Sequence, residues 1–125
     1  MDGKKSILLI DDDSLVLATL LRLLERAGYA VQAFQKTAAA IQASMMEEFD
    51  LVITDIRMPE IDGIQAIRYI REVRQKNNWQ QAPEIFITGY AQDYEPSARA
   101  LHPHAFIHKP FDSGEFLEVV RKAFL

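Results

Sequence analysis

The sequence predicts an α/β fold, a doubly wound five-stranded parallel sheet of order 2-1-3-4-5 flanked by five helices. Three observations carry this. Short apolar runs rich in β-branched residues alternate with amphipathic stretches all along the chain. Most of the runs are continuous rather than alternating in polarity, as strands buried on both faces of a parallel sheet are. The 125 residues, 49% hydrophobic and 26% charged, are one domain's worth and bury roughly two thirds of the unfolded surface without covalent staples. Right-handed crossovers leave few topologies, and 2-1-3-4-5 is the established order for the smallest doubly wound sheet.

The elements follow in order. Ile7-Leu8-Leu9-Ile10 is the first strand and leads into Asp11-Asp12-Asp13. After Ser14, a residue type suited to an N-cap, Leu17, Leu20, Leu21 and Leu24 recur at helical spacing until Gly28 stops the helix. Ala30 to Phe34 is the second strand; Thr37 then caps a helix that buries Ile41, Met45 and Phe49, with Met45-Met46 as core filler. The third strand, Leu51-Val52-Ile53, runs through Thr54 into Asp55 and Ile56-Arg57-Met58-Pro59. A helix from Gly63 to Gln75 turns Ile64, Ile67 and Ile70 inward and Arg68, Arg71 and Glu72 outward. The series Arg68, Arg71, Arg74, Lys76 reads as a solvated face rather than a DNA surface. A polar connection from Lys76 to Pro83 carries the only tryptophan, Trp79. Ile85-Phe86-Ile87 is the fourth strand and ends in Thr88-Gly89. A short helix from Glu95 to Leu101 fits between Pro96 near its start and Pro103 beyond its end. Ala105-Phe106-Ile107 is the fifth strand, followed by His108-Lys109-Pro110. The last helix begins near Asp112-Ser113 and carries Phe116, Leu117, Val120 and Phe124 inward.

Composition excludes several functions. With no cysteine there is no disulfide, thiolate metal site or cysteine nucleophile. The 18 acidic against 14 basic residues, net charge -4, argue against a phosphate-binding nucleic-acid surface. No apolar run approaches the ~18 residues of a membrane span, and the opening Met1-Asp2-Gly3-Lys4-Lys5 lacks a signal-peptide core. A cytoplasmic single domain over residues 1–125, with no membrane or direct nucleic-acid partner, is the expectation.

In a sheet of this order, sites form beyond the carboxyl ends of the strands, where strands 1 and 3 part. The residues there are Asp11 to Asp13, Asp55, Thr88 and Lys109, all on one rim. Strands 1 and 3 lie about 4.8 Å apart, so Asp11, Asp12 and Asp55 crowd together and repel unless a cation intervenes. Oxygen-only ligands suit a hard ion such as Mg²⁺. Lys109 stands two strands beyond Asp55, about 10 Å away in sheet spacing, so its flexible stem alone can reach the cluster. A carboxylate nucleophile, a divalent cation, a hydroxyl donor and an ammonium together describe a phosphoryl-accepting pocket.

The whole chain resembles the receiver domain of bacterial two-component response regulators, a flavodoxin-like fold. The resemblance rests on ILLIDDD at strand 1, LVITDIRMPEIDG around strand 3, IFITG at strand 4 and FIHKPF at strand 5, in order and at matching spacing. It implies that Asp55 is the phosphoacceptor. Asp12 would bind Mg²⁺ directly and Asp11 mainly through water, with the backbone carbonyl of Arg57 completing the protein ligands and Mn²⁺ as an alternative ion. It implies further that Thr88 and Lys109 bind phosphoryl oxygens, that Lys109-Pro110 is a cis peptide, and that Phe106 is the aromatic that turns inward when Thr88 moves. The donor would be a phosphohistidine on a sensor histidine kinase or a histidine phosphotransfer protein. The face of helix 4, strand 5 and helix 5 would control an output domain or downstream protein, and phosphorylation-dependent dimerisation is compatible with it. Phe106 stands where many members have tyrosine. Arg57 and Tyr90, two residues beyond Asp55 and Thr88, occupy positions lining water's approach to the acyl phosphate; both are bulky, which predicts slow self-dephosphorylation. Leu101-His102-Pro103-His104-Ala105 replaces the small-residue turn common before strand 5.

Simpler readings stand beside these. Asp13 favours the dipole at the start of helix 1. His102, His104 and His108 surround a proline turn with no cysteine or other acid nearby, a poor zinc set. Two rival functions use the same residues. A Mg²⁺-dependent phosphohydrolase of the haloacid dehalogenase type would use Asp11-x-Asp13, but the only acids after Lys109 (Asp112, Glu115 and Glu118) fall on a capped helix. A receiver-like interaction module working without phosphorylation would not need Asp12, Asp55, Thr88 and Lys109 together. The expectation is therefore a signalling switch, not an enzyme turning over a separate substrate.

Overall fold

The computed structural model describes residues 3–89 and 96–125. Its elements are β1 (Ser6–Ile10), α1 (Ser14–Arg26), β2 (Ala30–Phe34), α2 (Thr37–Met46), β3 (Leu51–Asp55), α3 (Gly63–Lys76), β4 (Glu84–Thr88), α4 (Pro96–Arg99), β5 (Ala105–His108) and α5 (Ser113–Ala123). The sheet has the order β2-β1-β3-β4-β5, and each neighbouring pair is parallel. Fold class, order and helix number are as the apolar runs predict.

Period-2 alternation along the buried strands divides the interior into two cores. Leu8, Ile10, Val52 and Phe86 face one way, against Ile64, Ile67 and Ile70 of α3, Ala40 of α2 and Ala98 of α4. Ile7, Leu9, Ile53, Ile85 and Ile87 face the other, against Leu20 and Leu24 of α1 and Phe116 and Val120 of α5. Leu117 and Phe124 pack on this second core while remaining half-buried. Central strands β3 and β4 are buried throughout, whereas the edge strand β2 is half-exposed.

The helix termini follow local chemistry. Asp13, not Ser14, is the N-cap of α1: its Oδ1 accepts from Leu15 N at 3.0 Å and Val16 N at 3.3 Å. At the other end Gly28 sits at φ 98°, a conformation glycine adopts without Cβ strain, and its N–H donates to Glu25 O at 3.0 Å. Asp112 caps α5 by accepting from Glu115 N. The fourth helix is shorter than Glu95 to Leu101. Glu95 lies outside the described residues, and the helical run Pro96–Arg99 is closed by turn hydrogen bonds as far as His102, which takes φ 51°.

Four further expectations are corrected. Thr37 does not cap α2; Lys36 holds the N-cap position without a side-chain bond, and the Thr37 hydroxyl donates to Ile61 O at 2.9 Å. Met45 and Met46 are exposed, at 53% and 84%, rather than core filler. Phe49 is buried, but in the connection beyond α2. Its small side chains Ala38, Ala39, Ala40 and Ala43 give the helix little amphipathic contrast, and its last turn runs past the core. The basic series of α3 is also not uniformly solvated. Arg74 is buried, donating from Nε to Gln80 O at 2.7 Å and from Nη1 to Phe49 O at 2.9 Å.

Arg71 forks onto the buried Glu84, Nε to Oε2 at 2.9 Å and Nη2 to Oε1 at 2.6 Å, and Nη2 also reaches Leu101 O. These bonds fasten α3 to the first residue of β4 and to the turn after α4, and the pairing with Glu84 raises the Arg71 pKa. Removing the acid strands a half-buried guanidinium. Glu84→Ala is therefore expected to cost about 1–3 kcal/mol in urea unfolding, against less than ~0.5 kcal/mol for Arg68→Ala on the exposed face.

Candidate functional site

Register brings the acids together. Ile10 pairs with Thr54 across β1 and β3, so Asp11 and Asp55 emerge side by side at the carboxyl ends. Asp11 is fully buried and Asp55 nearly so, while Asp12 is exposed to an open cleft. One carboxylate oxygen from each of Asp11, Asp12 and Asp55 lies within 4.8 Å of the others. Among the described residues no other group of three His, Cys, Asp or Glu comes this close, so His102, His104 and His108 form no such cluster.

Lys109 reaches in from beyond β5. Its Nζ is 3.0 Å from Asp55 Oδ2 and 3.3 Å from Asp11 Oδ2. The stem is aimed by its own backbone: Lys109 N–H donates to Thr88 O at 2.8 Å, and the Lys109-Pro110 peptide is cis, as expected. Thr88 is buried at the end of β4, one residue past the partner of Asp55 in that strand. Phe106 on β5 is half-buried and stacks on Phe86, centroids 5.6 Å apart at 27°. Arg57 is exposed and lines a cleft of about 890 Å³ with Asp12, Asp55, Gly89, Lys109 and Phe111. Tyr90 lies outside the described residues.

Two further groups shape the rim. Gly63 opens α3 directly over β3, its N–H donating to Ile56 O at 2.7 Å. A Cβ there would stand 2.1 Å from Asp55 O, so only glycine lets α3 approach the acid's backbone this closely. Asp62 and Gln65 form a capping box at the same terminus. The Asp62-x-x-Gln65 spacing is legible in the sequence; the close approach of Gly63 is not.

The three acids of the first loop do different work. Asp13 caps α1, and its own N–H donates to Asp11 Oδ1 at 3.0 Å. Asp11 Oδ2 accepts no hydrogen bond, the only such buried side-chain atom among the described residues; its approach to Lys109 is an ion pair without hydrogen-bond geometry. A buried carboxylate oxygen without a donor, beside two further carboxylates, is an oxygen-rich set suited to a hard divalent ion such as Mg²⁺.

Electrostatics agrees. Burial, with the neighbouring Asp55 charge adding to it, pushes Asp11 up from 3.8 to about 6 against the hydrogen bond from Asp13 and the pull of Lys109. Burial also raises Asp55, opposed by its hydrogen bond from Lys109. For Lys109, burial alone would lower the pKa, but the hydrogen bond to Asp55 and the charges of Asp11 and Asp55 outweigh it and raise it. One ammonium therefore leaves three carboxylates underneutralised.

Between pH 3.8 and about 6 the unfolded chain has lost the Asp11 proton that the folded chain keeps, so this group's contribution to stability falls as pH rises through about 6. Asp11→Asn should raise stability in metal-free buffer near pH 7.5 by about 1–2 kcal/mol, less than the ~3 kcal/mol of the full shift because a side-chain amide is an imperfect stand-in for the protonated carboxyl. Urea unfolding across a pH series should show the gain vanishing below about pH 4.

Known proteins share this fold and sequence pattern. The model of the response regulator receiver domain matches residues 7–121. The response regulator receiver protein CpdR of Brucella abortus (strain 2308) is 34% identical over 122 residues, covering 94% of this chain and 95% of that protein. The DNA-binding transcriptional regulator NtrC of Proteus hauseri is 30% identical across 96% of this chain, which spans only 24% of that protein's length. A CheY-like receiver domain protein from Methanospirillum hungatei JF-1 superposes with a TM-score of 0.83 at 28% identity, over 96% of this chain and 93% of that one. No helix among the described residues is long and apolar enough to cross a membrane. With its fold, its rim of aspartates and these relatives, the chain belongs to the receiver-domain family of two-component response regulators.

Proposed function

We propose that this chain is a phosphoacceptor switch in which Asp55 accepts a phosphoryl group from a phosphohistidine of a sensor histidine kinase or histidine phosphotransfer protein. The observation carrying this reading is the Lys109 ammonium, held at 3.0 Å from Asp55 and 3.3 Å from Asp11 within a cluster of three carboxylates. An Asp55 oxygen attacks phosphorus, the P–N bond to the donor imidazole breaks, and the imidazole leaves with the electron pair and takes a proton from solvent. Asp11, Asp12, Asp55 and the backbone carbonyl of Arg57 would hold Mg²⁺, which supplies positive charge against the transferring oxygens when bound.

The chain's own groups do the rest. Lys109, already placed on Asp55, exchanges a carboxylate oxygen for a phosphoryl oxygen and neutralises added charge. Thr88 at the adjacent strand end donates its hydroxyl to the same group. These contacts exist in one state only, so they shift a pre-existing equilibrium. The motion passes to Phe106, which is half-buried and in contact with Phe86, and then to the face of α4, β5 and α5 that serves the output partner. Arg57 and Tyr90 hinder water's approach and prolong the acyl phosphate.

Incubation with acetyl phosphate and Mg²⁺, followed by intact mass measurement, tests this. Wild type and Phe106→Ala should each gain one phosphoryl group, Asp55→Asn none, and Tyr90→Ala should lose the group faster than wild type. A wild-type protein without the adduct, or an adduct that survives Asp55→Asn, contradicts the reading. An unchanged lifetime in Tyr90→Ala removes the hindrance role, and equal output from phosphorylated Phe106→Ala removes the switch role.

A further inference from the structure

The connection between β3 and α3, residues 56–62, starts at Asp55 and carries Arg57. Both its ends are fastened locally. Ile56 N–H donates to Ile87 O at 3.2 Å, Gly63 N–H returns to Ile56 O at 2.7 Å, and Asp62 is fixed by its capping box. The middle bends through an unfavourable conformation: Glu60, a residue with a Cβ, sits at φ 68°, followed by Ile61 N–H donating to Pro59 O at 2.8 Å. Such a residue persists only where surrounding contacts over-determine it.

One such contact comes from α2. The Thr37 hydroxyl donates to Ile61 O at 2.9 Å and lies 3.7 Å from Met58 Sδ. Thr37 is 5% exposed, so this bond is shielded from competing water. Thr37 and the loop line a cleft of about 470 Å³ with Asp12, Lys36, Pro59 and Glu60 among others. The hydroxyl therefore ties the loop to α2 at the wall of this cleft. α2 is a firm anchor for it, since Ala40 and Ile41 of the next turn are in the core.

We infer that Thr37 is a positioning residue for the metal site: its hydroxyl holds the turn from Met58 to Ile61 in the shape that presents the Arg57 carbonyl to the ion. The inference rests on the reading of Asp11, Asp12, Asp55 and Arg57 as the Mg²⁺ ligands. Without the hydroxyl, Ile61 O loses this donor, the strain at Glu60 is released and the carbonyl moves off its bearing. Thr37 itself touches no reacting atom.

Titration of the full chain with MgCl₂, followed by amide NMR, separates the possibilities. Wild-type amides of Asp12 and Asp55 should shift saturably. Thr37→Val, which keeps shape and deletes the donor, should weaken Mg²⁺ binding about three- to tenfold, and Thr37→Ser should restore it to within about twofold. Ser44→Ala removes another buried hydroxyl of α2, bonded to Ile41 O at 2.6 Å, and should leave affinity unchanged. Wild-type affinity in Thr37→Val, failure of Thr37→Ser to rescue, or equal weakening by Ser44→Ala overturns the positioning role while leaving the metal site intact. Absence of any wild-type shift at Asp12 and Asp55 overturns the metal reading itself, and this inference with it.

Discussion

Everything at the functional end of this molecule depends on one ion pair network, the Lys109 ammonium between Asp55 and Asp11. It is an incomplete neutralisation. Lys109 pairs with two of three clustered carboxylates, both nearly buried, and burial has already raised both of these acids. A structural salt bridge would match charge for charge; here a buried oxygen of Asp11 has only a 3.3 Å ion pair to the shared ammonium and no well-formed hydrogen bond. Such residual negative potential suits a divalent ion, and in the function proposed above the Lys109 ammonium would exchange a carboxylate for a phosphoryl oxygen.

The parallel sheet makes this arrangement robust. Five strand ends in one direction place Asp11, Asp55, Thr88 and Lys109 on a common rim, although the sequence separates the first from the last by most of the chain. The buried strands are held between two cores, so the rim is rigid where it binds. At its edges lie the loop after Asp55, tied by Gly63 and Thr37, and the Phe86–Phe106 contact on β4 and β5. At the opposite end of the sheet, Arg71 and Glu84 secure α3 against β4, away from the chemistry.

Much of this was legible in the sequence, for a physical reason. A continuous apolar strand announces its own end, so the polar residues that follow are placed without coordinates; Asp11 and Thr88 come directly after their runs, Asp55 and Lys109 one polar residue later. Helix surfaces were less legible. Periodicity assigns Arg71 and Arg74 to an outer face but cannot know that Glu84 and the carbonyls of Phe49 and Gln80 lie within their reach. Met45 and Met46 were misplaced because α2 is rich in alanine and shows no polar contrast. Thr37 was misassigned because a hydroxyl at a helix start suits a cap equally well, and only tertiary structure supplies Ile61 O. The close approach of Gly63 to Asp55 needs a glycine, but only the packed backbone shows which of the chain's glycines makes it.

In the function proposed above, the cation and the phosphoryl group answer to an underneutralised acid cluster, not to a diffuse acidic surface. The most direct test is the stabilisation that millimolar Mg²⁺ confers on the full chain, read by urea unfolding at about pH 4.5 and about pH 7.5. With Asp11 titrating at about 6, stabilisation should be small at the lower pH and several-fold larger at the higher. Equal stabilisation at both pH values, or none near neutrality, would rule out the acid cluster as the seat of ion binding.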